Sequence, residues 1–138
     1  MFANMSEKQT LARIVNANRS KLLKYYSLDF DGSASQAMKA LTERAVKLKF
    51  VVDRHPPPAA ALRSWIVENE APQWACRSAF EFLLEYGWEP QDDVEQAIAA
   101  RYLLLNQHTL TSRWEKTLGP WLELAIKANR ENDIRAKL

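Results

Sequence analysis

The sequence holds one cysteine, Cys76, so no disulfide can close within the chain, and a reducing compartment is expected. There are two histidines, His55 and His108, and neither has a second His or a Cys at metal-ligand spacing, which sets aside the common zinc frameworks. Three glycines, at 32, 87 and 119, leave no glycine-rich loop to cradle a phosphate. No apolar run approaches the ~18 residues of a membrane span. The segment from Met1 to Thr10 lacks the apolar stretch of a signal peptide. The protein is therefore expected in the cytoplasm, with no membrane as partner. No segment alternates apolar and polar residues with period two over a useful length, which argues against a sheet.

What the chain does have is helical periodicity. Its 138 residues suit one domain, and 47% hydrophobic residues with five Trp exclude wholesale disorder. The expected fold is an all-α, single-domain bundle of about six or seven helices with short loops punctuated by Gly and Pro. The first helix is expected over Ser6–Tyr26, with Ser6 and Gln9 at capping-box spacing. Leu11, Ile14, Val15, Leu22, Tyr25 and Tyr26 form its stripe, Asn18 interrupts it, and Ser20 lies opposite. The second helix is expected from Ser33 or Ser35 to Asp53, with Met38, Leu41, Ala45, Leu48 and Val52 inward. Pro56–Pro58 stop it and mark the junction between two sub-units, a basic helix pair over 1–54 and a helical bundle over 59–138. Further helices are expected from the prolines to Glu70, over Pro72–Tyr86 with Gly87 as left-handed cap, from an Asp92 N-cap toward Asn106, over Leu110–Leu118, and from Trp121 into a polar tail. In the Pro72–Tyr86 helix only Arg77, Ser78, Glu81 and Glu85 form a polar strip.

Charge is unevenly spread. Residues 1–54 hold ten Lys and Arg against five Asp and Glu, residues 55–100 two against eight, and residues 101–138 seven against four. A basic–acidic–basic order can steer an anionic partner to one region. It also fits mutual neutralisation of packed helices.

Four constellations carry chemistry. Ser27 to Ser33 has Asp29, Asp31 and Gly32 at calcium-loop spacing, but Met38 occupies the place of the bidentate glutamate, so a helix-capping turn is the better reading and no metal is expected. Cys76 stands on an apolar face, where a thiol packs rather than reacts. Arg101 and His108 lie two turns apart on an expected helix. Their spacing resembles the Arg-x(4–6)-His pattern of HEPN-type ribonucleases, which are small helical bundles. The resemblance rests on these two residues alone. It implies His108 as general acid/base and Arg101 as the phosphate-steadying group, in a dimer that gathers two such pairs.

The fourth constellation is a basic face on the second helix. Lys39, Lys47 and Arg54 fall opposite its apolar stripe with Phe50 among them, and Arg13, Lys21 and Lys24 of the first helix extend it. Cations interleaved with an aromatic can track a phosphate backbone and stack a base. The binding residues expected on this basis are Arg13, Lys24, Lys39, Lys47, Phe50 and Arg54. The function expected first is a non-enzymatic binding or regulatory module without a cofactor, part of a larger assembly, whose partner is nucleic acid or an acidic protein surface. The second is a protein–protein adaptor using exposed aromatics, Trp74 foremost. The ribonuclease is third. A homo-oligomer is left open.

Overall fold

In the computed structural model the described residues are 7–137, and the described side chains those of 10–130. The chain is all-α. Eight helices are present among the described residues: α1 Glu7–Asn18, α2 Lys21–Asp29, α3 Ala34–Lys47, α4 Ala59–Glu68, α5 Gln73–Glu85, α6 Asp93–Leu105, α7 Ser112–Leu118 and α8 Pro120–Lys137. No helix among them is long and apolar enough to cross a membrane. The expected Ser6–Gln9 cap lies outside the described residues.

The expected Ser6–Tyr26 helix is two helices. The Asn18 side chain donates to the Ile14 carbonyl at 2.9 Å, a local bond that competes with helix continuation. Just beyond, the Ser20 amide donates to the Asn69 side-chain oxygen at 3.2 Å. Ser20, placed on the solvent side by its period, is buried instead. The chain forms two compact units, one running through Asn18 and resuming at Pro90, the other Arg19–Glu89. Pro56–Pro58 lie within the Arg19–Glu89 unit.

In the Arg19–Glu89 unit α2 and α3 both pack on α5, and α4 lies against α2 and α3. Ser33 begins α3 with a reciprocal cap: its hydroxyl accepts from the Gln36 amide at 3.1 Å, and the Gln36 side chain accepts from the Ser33 amide at 2.8 Å. A β-carbon at Gly32 would stand 2.7 Å from the Gln36 side-chain oxygen, so glycine leaves that cap room to close. Ala37, Met38, Leu41 and Ala45 are buried toward α4 and α5. On the same face the Tyr26 hydroxyl, from α2, donates to the Ala37 carbonyl at 2.6 Å. The Ser78 hydroxyl, from α5, donates to the Leu41 carbonyl at 2.7 Å. Ser78 is therefore not part of the polar strip of α5; it is fully buried and spends its hydroxyl on α3. Tyr26 also sits edge-on to Phe82 at 4.8 Å, and Phe30 completes the cluster 6.1 Å from Phe82. Burial raises the Tyr26 hydroxyl well above its ordinary pKa of 10.0, so it remains a donor across the physiological range.

The other unit packs α1 on α6 and α8, with α7 against both α6 and α8. Leu11 and Val15 of α1, Ala97, Ile98, Tyr102 and Leu103 of α6, and Leu122 and Ala125 of α8 form its core. The Asp92 carboxylate accepts from the Glu95 amide at 2.8 Å and so caps α6, as its position in the sequence predicts. Thr111 caps α7 in the same way.

Helix ends account for the remaining departures. α3 stops at Lys47, six residues before the expected Asp53. Lys49 adopts a left-handed φ of 65°, the Phe50 amide donates back to the Ala45 carbonyl at 2.8 Å, and the Lys49 amide donates to the Val46 carbonyl at 3.1 Å. That is the Schellman arrangement with lysine where glycine is usual. With the helix over, Val52 is 88% exposed rather than part of the buried stripe, and Leu48 is exposed too. Gly87 performs the expected role at the end of α5 with φ 81°, and Gln107, φ 61°, repeats the lysine case at the end of α6. Left-handed backbone costs a β-carbon-bearing residue about 1 kcal/mol. Lys49→Gly and Gln107→Gly should each raise the unfolding free energy by about 1 kcal/mol in urea titrations. Asn69, at φ 52°, should gain less, because asparagine tolerates this region and its side chain holds the Ser20 amide. A loss of stability in Lys49→Gly would contradict this helix end.

Candidate functional site

The face of α3 opposite its two buried hydroxyl contacts borders a groove of about 390 Å³. Lys39, Thr42, Glu43, Val46 and Lys47 form the α3 wall, and Asp53, Arg54 and Pro56 form the other. Three of the six expected binding residues, Lys39, Lys47 and Arg54, are brought together here. Two carboxylates that the basic-face reading passed over, Glu43 and Asp53, share the lining. Among the described residues neither lysine forms an ion pair, and neither does Glu43.

The second wall is non-helical chain, residues 48–58, and two arginine–aromatic contacts fasten it to α5. The Arg77 guanidinium lies 4.0 Å from the centroid of the Phe50 ring, and the Arg54 guanidinium 4.9 Å from that of Trp74. Trp74 meets Trp65 of α4 edge-on at 5.9 Å. Arg54 Nε donates to the His55 carbonyl at 3.3 Å. Phe50 is thus half-buried beneath Arg77 and does not line the groove, and the face of Trp74 is taken by Arg54. These pairings join residues 20 to 27 positions apart, and no local spacing signals them.

Beside the groove, and sharing Glu43 and Lys47 with it, lies a second depression of about 450 Å³ lined also by Ala40, Arg44, Leu48, Glu81 and Glu85. Arg44 donates to Glu85 at 2.7 Å. That hydrogen bond, reinforced by the charges of Arg44 and Lys47, holds the Glu85 carboxyl below its ordinary value of 4.5. Arg44 also approaches the Phe82 ring, on which Tyr86 stacks at 4.4 Å.

The other sequence candidates lie elsewhere. Lys24 is exposed on α2, outside the groove lining. Arg13 is exposed on α1, in the other unit. Arg101 and His108 do not share a helix face: α6 ends at Leu105, the left-handed Gln107 turns the chain, and the His108 amide caps the end by donating to Leu103. One Arg101 terminal nitrogen, Nη1, is buried without a hydrogen-bond partner among the described residues. Cys76 is fully buried, its thiol directed to the Arg19 carbonyl at 3.8 Å. Trp65, Trp74, Trp88, Trp114 and Trp121 are all half-buried, and among the described residues the large exposed aromatic is Tyr86 at 68%. Among the described residues no three His, Cys, Asp or Glu side chains gather as a metal site. No protein-family model matches the chain, and neither a curated protein nor a solved structure matches it.

Phe50→Ala and Arg77→Ala should each lower the melting temperature, and a double-mutant cycle should return a coupling of about 0.5–1 kcal/mol from the stacked pair. Additive effects would contradict the contact. Glu85 has a depressed folded-state pKa, so its contribution to stability is complete above about pH 4.5 and is lost as pH falls through the folded value. Arg44→Met should therefore flatten the acid limb of stability against pH. An unchanged limb would assign the pair no role.

Proposed function

We propose that the Arg19–Glu89 unit is a non-enzymatic binding module that takes an anionic partner in the groove between α3 and residues 48–58. The observation that carries this reading is the meeting of Lys39, Lys47 and Arg54 in one groove, with neither lysine in a direct ion pair among the described residues, the Lys47 charge also bearing on Glu85. Lysines held on one helix face at fixed spacing can meet a partner without first breaking a direct ion pair. Arg54 is pre-oriented by its stack on Trp74, so it loses little freedom on engaging an anion. Nucleic acid is the first candidate from composition, and an acidic protein surface the second. The adaptor reading is supported by one observation of its own, the exposed Tyr86 stacked on Phe82, since tyrosine on a rigid platform is a common interface anchor.

Fluorescence anisotropy at low salt, with single-stranded DNA, RNA and a polyglutamate peptide, tests the groove directly. Three cationic contacts predict a log–log salt slope of about −2 on a single strand, since each phosphate contributes about −0.7. Lys39→Gln with Lys47→Gln should weaken binding of whichever anion is taken and flatten the slope by about 1.4. Binding that ignores salt, or that survives the double substitution unchanged, would rule out this groove.

A further inference from the structure

The α3 wall of the groove carries alternating charge rather than positive charge alone. Lys39, Glu43 and Lys47 are four residues apart, so they succeed one another at about 6 Å steps along the helix axis. All three line the groove and none is ion-paired among the described residues. The wall therefore presents plus, minus, plus. Between these charges the lining is apolar or weakly polar: half-buried Val46, and Thr42, whose hydroxyl is already spent on the Met38 carbonyl at 2.8 Å. Pro56 faces them from the other wall, flanked by Asp53 and Arg54, a second mixed pair.

A phosphodiester strand has one sign at every residue. If it engages Lys39 and Lys47, it sets a phosphate against Glu43 between them, and a second carboxylate, Asp53, borders the same groove. Nor does the groove offer an aromatic platform for a base: Arg77 covers Phe50, and Arg54 covers Trp74, whose ring also meets Trp65. An α-helix repeats at the same 6 Å step for residues four apart, and can carry the opposite signs in the same order. The order is symmetric, so parallel and antiparallel docking both satisfy it.

We infer that the groove receives an amphipathic helix of a protein partner whose α3-facing side reads acidic-x3-basic-x3-acidic, with an apolar residue beside the basic one to cover Val46 and Pro56. This rests on the groove being the binding site proposed above, and it names protein rather than nucleic acid as the occupant.

The test is selection of displayed 16-residue helical peptides against the full chain, repeated on Glu43→Lys, with single-stranded DNA binding measured in parallel on both. Glu43 is exposed and in no ion pair among the described residues, so Glu43→Lys should fold, with its melting temperature lowered only slightly by the like charges of Lys39 and Lys47 one turn away; Glu43→Gln serves if Glu43→Lys fails to fold. The parent should enrich peptides with acids eight residues apart and a base midway. On Glu43→Lys the central preference should turn acidic, and a parent-selected peptide should bind about fivefold more weakly, recovering when its central base is exchanged for Glu. Uniformly acidic peptides with no central base, or no enriched peptides, overturn the inference. So does single-stranded DNA that binds the parent and binds Glu43→Lys more tightly, which would keep the groove but give it to a phosphate polymer. If Lys39→Gln with Lys47→Gln leaves peptide and DNA binding alike unchanged, the groove itself fails.

Discussion

Two hydroxyls fix the position of α3, and the groove depends on that position. Tyr26 and Ser78 reach α3 from different helices and each donates to a carbonyl, of Ala37 and Leu41, one turn apart on the buried face. A helical carbonyl has a second lone pair beyond its intrahelical bond, so these contacts add to the helix without breaking it. Because both donors are buried, losing either acceptor would leave an unsatisfied hydroxyl, which costs more than the bond itself contributes. Register and rotation of α3 about its own axis are thus set from inside, and the outward direction of Lys39, Glu43 and Lys47 follows from helical geometry.

The opposite wall is held by different physics. Residues 48–58 have no internal hydrogen-bond ladder, and they run from a lysine-terminated helix to three prolines. Such a segment would ordinarily be the mobile part of a small helical unit. Here Phe50 lies under Arg77 and Arg54 lies on Trp74, two contacts whose flat faces constrain orientation as well as distance. Phe50, which suggests base stacking in the sequence, and Trp74, which suggests a protein interface, are the aromatics consumed in fastening this wall. Arg54 has two roles at once, as groove lining and as tether, so its substitution is a poor probe of binding, and the two lysines are the cleaner ones.

Much of the architecture was legible in the sequence because Pro and Gly stand between segments of clear 3.6-residue period, and because Asp92 and Gly87 are placed where a cap requires them. What was not legible depended on partners distant in the chain or on backbone conformations no residue type announces. The division at Asn18 to Ser20 is secured by Asn69, nearly fifty residues away. The end of α3 depends on Lys49 accepting a left-handed φ, and nothing about lysine signals that. The same early end exposes Val52 and swings Phe50 off the basic face. Ser78 reads as solvent-facing until its partner, Leu41 of another helix, is known. Of the groove, Lys39, Lys47 and Arg54 were legible by charge and period. Glu43 was equally visible, at the midpoint of the two lysines, but counting net charge conceals an alternating pattern that spacing reveals.

The central claim is that an anion recognised by this protein meets α3 and residues 48–58 and not another basic region of the chain. The most direct measurement is a residue-resolved amide chemical-shift titration of the full chain with an acidic peptide at low salt. The account predicts saturable shifts concentrated between Lys39 and Pro56 and in the Arg77 region, disappearing as salt is raised. Shifts centred on Arg101 and His108, or spread evenly over every lysine and arginine, would contradict it.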